Sequence, residues 1–238
     1  MLYDYVSIDL ETTGLNAKED TILEIGAIRV RNGVETAFFH TLIDPKREIP
    51  QHITELTGIT SSDIKGKPIF REIQNELLEF LGNDVLLGHS LLFDYSFLKR
   101  AFINNGAITK KGKGNFDRQG IDTLKMARQK LDSLESRSLG ALCKYYNIPL
   151  SAHRALNDAC ATSLLYQKMA EQFYNEQDDC SYPLIYKVKK EGPITAAQKE
   201  RLYKLLDKHK IVSKYDIEHL TKNEADRYLD KILAEFGR

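Results

Sequence analysis

Residues 7–15 read SIDLETTGL: two acids one residue apart on an alternating apolar run, with Thr-Thr-Gly directly after. From Tyr5 to Glu11 the period is two. Val6, Ile8 and Leu10 share one face and Ser7, Asp9 and Glu11 the other, which is the pattern of a β-strand. A carboxylate is costly to bury unless it is paired or bound to a metal. Asp9 and Glu11 on a core strand therefore require partners from elsewhere in the chain.

After this strand, TILEIGAIRVRNGVETAFFHTLI holds two β-rich runs around Asn32-Gly33, a strong hairpin signal, so the sheet opens as an antiparallel meander. In PIFREIQNELLEFL, Ile69, Phe70, Ile73, Leu77 and Leu81 recur at helical spacing. VLLGH reads as a short buried strand and FDYSFLKRAFINNG as a helix stopped by Gly106. The basic stretch KKGKGN, with Lys110, Lys111 and Lys113, reads as a flexible loop able to steer a phosphate backbone or simply solvated. GIDTLKMAR runs from strand toward helix, SLGALCKYYNI is helical and ends before Pro149, and HRALNDACATSLLYQKMAEQFY is a long helix beginning near His153. The fold class is α/β, a mixed sheet flanked by helices.

The texture then changes. NEQDDCSYP is polar and irregular, and KVKKEGP ends in a Gly-Pro turn signal. TAAQKERLYKLLDKH and TKNEADRYLDKILAEF read as two helices flanking a shorter one in SKYDIEHL, with capping boxes at Thr195/Gln198 and Thr221/Glu224. The expected organisation is a domain over 1–178, a linker over 179–193 and a small all-helical C-terminal segment over 194–238. A segment of about 45 residues is near the size at which a domain struggles to fold alone.

The chain has 238 residues, 42% of them hydrophobic and 29% charged, an ordinary globular balance with material for a core. Its 34 basic and 34 acidic residues cancel to a formal net charge of +0, which argues against a protein that holds nucleic acid by overall charge. Any such grip must be local, metal-assisted or shared with a partner. Cys143, Cys160 and Cys180 are scattered and odd in number, against a disulfide framework or a zinc site. His40, His52, His209 and His219 read as surface or packing residues. No apolar run is long enough to cross a membrane, and MLYDYVSIDL lacks the shape of a signal peptide, so a cytoplasmic location is expected.

Two further acids stand in apolar settings: Asp94 in GHSLLFDYSFL, after a strand and at a helix start, and Asp158 in HRALNDA, with His153 five positions before it. Asp94 by itself also fits a helix N-terminal acid favoured by the dipole. Four carboxylates on strand ends and helix starts can converge at one sheet edge. Such a cluster repels itself unless divalent cations neutralise it, and hard oxygen ligands suit Mg²⁺ or Mn²⁺. Two ions about 3.5–4 Å apart can hold both the attacking and the leaving oxygen of an in-line phosphoryl displacement.

The ordered set D-x-E-T-T-G-L, G-H-x-x-x-F-D-x-x-F-L and H-R-A-x-x-D-A resembles the DnaQ-like, or DEDDh, 3′–5′ exonuclease family, whose best-known member is the proofreading subunit of bacterial DNA polymerase III. The likeness covers roughly residues 3 to 175. It implies a ribonuclease H-like α/β domain in which Asp9, Glu11, Asp94 and Asp158 hold two divalent cations, Mg²⁺ or Mn²⁺. It implies His153 as the general base; a sister group has tyrosine where this chain has Arg154. Thr12, Thr13 and Leu15 match the segment that contacts the terminal nucleotide, Leu15 wedging against its base, while His89, Phe93 and Phe97 match the lining of the 3′-end pocket. The family often has asparagine where this chain has Ser90, which bears on substrate preference and not on the chemistry.

The implied activity is removal of nucleoside 5′-monophosphates from single-stranded or frayed DNA 3′ ends in proofreading or repair. RNA trimming and a non-catalytic scaffold that binds 3′ ends or a polymerase are the rivals. The scaffold reading needs the loss of an acid or of the histidine, and all five are present. LTKNEADRYLDKIL is similar to small helical segments appended to some bacterial recombination and repair proteins. The segment over 194–238 could dock a polymerase or repair partner, add nucleic-acid contacts, or pack on the main domain.

Overall fold

A computed structural model describes residues 1–108, 116–151, 153–175, 180–188 and 191–237. Lys110, Lys111 and Lys113 lie outside the described residues. Among the described residues six strands form one mixed sheet in the order β3-β2-β1-β4-β5-β6. β1 (Tyr5–Thr12), β2 (Ile22–Arg31) and β3 (Val34–Leu42) make the expected antiparallel meander. Asn32 and Gly33 both take positive φ, 51° and 75°, as a two-residue hairpin turn requires. β4 (Leu86–Gly88) runs parallel to β1, and β5 (Gln119–Asp122) parallel to β4.

Between β3 and β4 the chain forms α1 (Gln51–Thr57), α2 (Ser61–Ile64) and α3 (Phe70–Leu81). α4 (Leu91–Asn105) leads out of β4 and stops at Gly106, whose φ of 80° is the left-handed cap that ends a helix. It begins earlier than the apolar pattern suggested, because Ser90 already takes φ 70° and turns the chain into the helix. α5 (Thr123–Lys130) is capped by Asp122, and α6 (Leu139–Tyr145) by Ser138. α7 (Ala155–Phe173) starts two residues after His153, since His153 stands at φ 65°, outside helical geometry.

The two faces of β1 divide the core as the alternation required. Val6, Ile8 and Leu10 pack with α3 and α4, around Leu77, Leu81, Leu91, Tyr95 and Phe102. Tyr5, on the opposite face, packs with Leu165, Tyr166 and Met169 of α7, and its ring meets Tyr166 edge-on at 5.3 Å. Ser7 Oγ donates to the Ala159 carbonyl at 2.7 Å, pinning β1 to α7. Gly26 of β2 is where α7 comes closest: a Cβ there would lie 2.1 Å from the Leu156 nitrogen, so only glycine fits.

Part of the stretch read as a linker joins the sheet. β6 (Tyr182–Pro183) pairs antiparallel with β5, and Leu184 is buried in the main core. Beyond it, α8 (Ala196–His209) and α9 (Lys222–Phe236) pack around Leu202, Leu206, Ile217, Leu229 and Ile232, a cluster separate from the main core. Both capping boxes form, at Thr195/Gln198 and Thr221/Glu224. The short helix expected in SKYDIEHL is a single 3₁₀ turn, Ile217–His219, opened by the Asp216 side chain accepting the Glu218 N–H and closed by Leu220 in extended geometry.

Candidate active site

β1 delivers Asp9 and Glu11 to the α7 side of the sheet, and the first turn of α7 delivers Asp158. One carboxylate oxygen from each of Asp9, Glu11 and Asp158 lies within 4.8 Å of the other two. Asp94, in the first turn of α4, stands beside this trio and is not a member of it. Its Oδ1 accepts the Leu10 N–H at 3.2 Å, tying the helix start to the strand that carries Asp9 and Glu11. Both helix-borne acids occupy first turns, where the helix dipole favours a negative charge.

The charges are strained against one another. Burial pushes the Asp9 carboxyl well above the usual range, and Asp94, Asp158, Glu11 and Glu24 push it further. Burial, then Asp158 and Glu24, raise Glu11 to about 7, against the opposing pull of Arg154. Asp94 and Asp158 are also raised, in each case chiefly by burial. Asp158 Oδ2 accepts the His153 N–H at 2.9 Å, while its Oδ1 is buried with no hydrogen-bond partner. A buried carboxylate oxygen without a donor, facing two further acids, is a fit for a hard cation. His153 itself is exposed.

The remaining expected residues lie at the end of β1 and in the loop that leaves it, and on or just before α4. Thr12 Oγ1 donates to the Gly14 carbonyl at 2.7 Å, and Thr13 Oγ1 accepts the Thr21 N–H at 3.0 Å, so both threonines shape the loop leaving β1. Leu15, at its tip, is 87% exposed. Phe93 and Phe97 flank Asp94 on α4 with ring centroids 4.9 Å apart, Phe97 being buried and Phe93 half-buried. His89 is half-buried with Nδ1 2.9 Å from Thr123 Oγ1, and burial holds its pKa below the ordinary value. Ser90 donates its backbone N–H to Asp122 Oδ1 at 3.0 Å. Its left-handed φ accounts for asparagine suiting this position, because asparagine tolerates that conformation better than most residues.

Two further acids near the site belong to none of the three motifs. Glu24 of β2 is fully buried; it accepts from Arg154 Nη2 at 3.0 Å and the Ala155 N–H at 3.2 Å, and sits 2.6 Å from His40 Nε2. It thereby anchors the backbone between His153 and Asp158. Asp122 caps α5 through the Leu124 and Lys125 N–H groups and holds Ser90 with the same oxygen. A lone acid inside the apolar run ILEIG was the available signal for Glu24. Nothing comparable marked Asp122.

The profile of the exonuclease family matches residues 6–166, which contain all three motifs. The chain belongs to the exonuclease family. It is 37% identical to the PolC-type DNA polymerase III of Clostridium perfringens over 174 residues, 71% of this chain and 12% of that one. It is 33% identical to the DNA polymerase III epsilon subunit of Aquifex aeolicus over 172 residues, 71% of this chain and 82% of that one. The chain thus spans about an eighth of the PolC-type relative and most of the epsilon subunit. Among solved structures, exonuclease X in complex with 5′ overhanging duplex DNA superposes with a TM-score of 0.55 at 24% identity, over 71% of this chain and 92% of that one. That likeness carries the fold, a ribonuclease H-like mixed sheet flanked by helices, and the resemblance read from the three motifs is borne out.

Proposed function

We propose that this exonuclease-family chain is a metal-dependent 3′–5′ exonuclease that removes nucleoside 5′-monophosphates from single-stranded or frayed DNA 3′ ends. The observation that carries the proposal is the convergence of Asp9, Glu11 and Asp158, with Asp94 alongside, over the central strand β1. These four carboxylates would hold the cations, for which Mg²⁺ and Mn²⁺ suit an all-oxygen donor set. Divalent cations held there would neutralise the cluster and supply Lewis-acid polarisation of a phosphodiester.

The protein's own groups do the rest. His153, exposed at the rim and backed by Asp158 through its backbone, takes the proton from the attacking water; imidazole is suited to that exchange near neutral pH. Leu15 presses on the terminal base, Thr12 and Thr13 shape the loop that presents it, and His89, Phe93 and Phe97 line the cleft for the 3′ nucleotide. DNA is the favoured substrate and a polymerase the favoured partner, supported by the similarity to the epsilon subunit and the PolC-type polymerase. The neutral net charge argues for short engagements and not for tracking along a strand.

The test is a gel time course on matched 5′-labelled single-stranded DNA and RNA with Mg²⁺ or Mn²⁺, beside the Asp9→Ala variant. A ladder shortening from the 3′ end on DNA, lost with EDTA and in the variant, is the expected result. A ladder on RNA alone would move the protein to RNA trimming. No ladder on either would leave a 3′-end-binding scaffold.

A further inference from the structure

The loop that carries Leu15 is held from outside as well as from within. Internally, Asp20 staples it: Oδ1 accepts from Thr13 Oγ1 at 3.3 Å and Oδ2 from the Asn16 N–H at 2.9 Å. Externally, three arginines converge on two adjacent carbonyls. The Lys18 carbonyl accepts from Arg227 Nη2 at 2.8 Å and Arg100 Nη2 at 3.0 Å, and the Glu19 carbonyl accepts from Arg47 Nη1 at 2.6 Å. Arg227 lies on α9, in the C-terminal helical unit, while Arg100 is on α4 and Arg47 follows β3.

The C-terminal unit also orients the other two arginines. Glu224 of α9 pairs with Arg47 at 2.6 Å, and Glu191 pairs with Arg100 at 2.5 Å. The four side chains are only 6–15% exposed, so these pairs are far less screened than surface ones. Thr221, the cap of α9, has its Oγ1 2.8 Å from both Glu191 Oε2 and Glu224 Oε2, so its single proton is shared between the two carboxylates. The backbone completes the attachment. Glu48 N–H donates to the Lys214 carbonyl at 2.9 Å, Asp216 N–H to the Lys46 carbonyl at 3.0 Å, and the Arg47 guanidinium lies 5.5 Å from the centre of the Tyr215 ring.

We propose that residues 191–237 clamp the Gly14–Asp20 loop so that Leu15 is presented in one fixed position, with Arg227, Arg100 and Arg47 as positioning residues. An exposed apolar side chain on a free loop would have to be ordered each time a strand end arrived, and that cost would weaken binding. Guanidinium forks on consecutive carbonyls meet the cost in advance. The clamp rests on the exonuclease reading above for its use, and on the arginine contacts for its existence.

The test compares the full chain with Arg227→Ala and Arg227→Lys. In Arg227→Ala, hydrogen–deuterium exchange of the peptide covering residues 12–21 should accelerate, with β1 and α9 unchanged. KM for a 5′-labelled single-stranded DNA should rise about three- to tenfold, the scale of one net hydrogen bond. Turnover of bis(p-nitrophenyl) phosphate, a diester with no base for Leu15 to meet, should stay at the wild-type value. Arg227→Lys should recover most of the protection and of the KM. An unchanged KM overturns the positioning role, and so does a parallel loss on both substrates, the mark of a general fold defect. If the wild-type chain cleaves neither substrate, the exonuclease reading fails separately, and the exchange data alone decide whether the loop is clamped.

Discussion

Glu24 is a fully buried acid in a strand, and its value lies in what it holds. Burial pushes its carboxyl up, but the Arg154, His40 and Ala155 donors outweigh that and leave it below the ordinary range. Those bonds fix the chain just ahead of Asp158, so Glu24→Ala should destabilise the protein by about 1–3 kcal/mol, since the Ala155 N–H loses its acceptor while the half-exposed Arg154 can turn to water. Denaturant melts would read that loss, and Mn²⁺ titrations should show weaker binding. The residues nearest the chemistry separate by role. His153→Ala should slow cleavage about 10²–10⁴-fold, the contribution of a positioned base. Asp158→Ala should cost more, because it removes an acid of the converging trio. Equal small losses in both variants would contradict the assignment.

At the scale of elements, the site depends on where α7 begins and how closely it lies on the sheet. Gly26→Ala would set a methyl about 2.1 Å from the Leu156 nitrogen, in backbone that cannot give way as a flexible side chain would. Displacing α7 moves Asp158, so this change should lower both thermal stability and metal affinity, by about 1–3 kcal/mol in stability. The docking of the C-terminal unit has its own pH signature. Burial raises Glu191 and Glu224, but Thr221 and Arg100 outweigh it at Glu191, and Arg47 and Thr221 at Glu224, so both lie below the ordinary glutamate range. Their stabilisation is present above the unfolded value, about 4.3, and is lost as pH falls through the lower folded values. Protection of the 12–21 peptide, its exchange taken relative to the intrinsic amide rate at each pH, should therefore fall on acidification below about pH 4.

Across the whole molecule, the acid cluster acts in the opposite direction. Asp9, Glu11, Asp94 and Asp158 are all raised in the folded state, Glu11 to about 7. Their protonation favours folding, so that stability is complete below the unfolded values and is lost as pH rises through the folded ones. Without added cations, the melting temperature should rise as pH is lowered from about 8 toward 5.5, and Mn²⁺ should raise it more at the higher pH, where protons no longer compete for the carboxylates. Thermal shift measurements across that range check both signs.

What depends on local period and local chemistry can be read from the residues alone. The alternation in Tyr5–Glu11, the hairpin at Asn32-Gly33, the capping boxes at Thr195 and Thr221, and the three motifs carrying Asp9, Glu11, Asp94, His153 and Asp158 were all legible without coordinates. Long-range packing was needed to establish that three of the acids cluster while Asp94 binds the Leu10 amide. It also decided that Glu24 anchors α7, that Tyr182–Pro183 closes the sheet as β6, and that Arg227 reaches the Lys18 carbonyl. Glu24 and Ala155 are 131 positions apart, and Arg227 and Lys18 are 209 apart. Periodicity and propensity act over a few residues, whereas these contacts exist only once the sheet and its helices bring distant segments together.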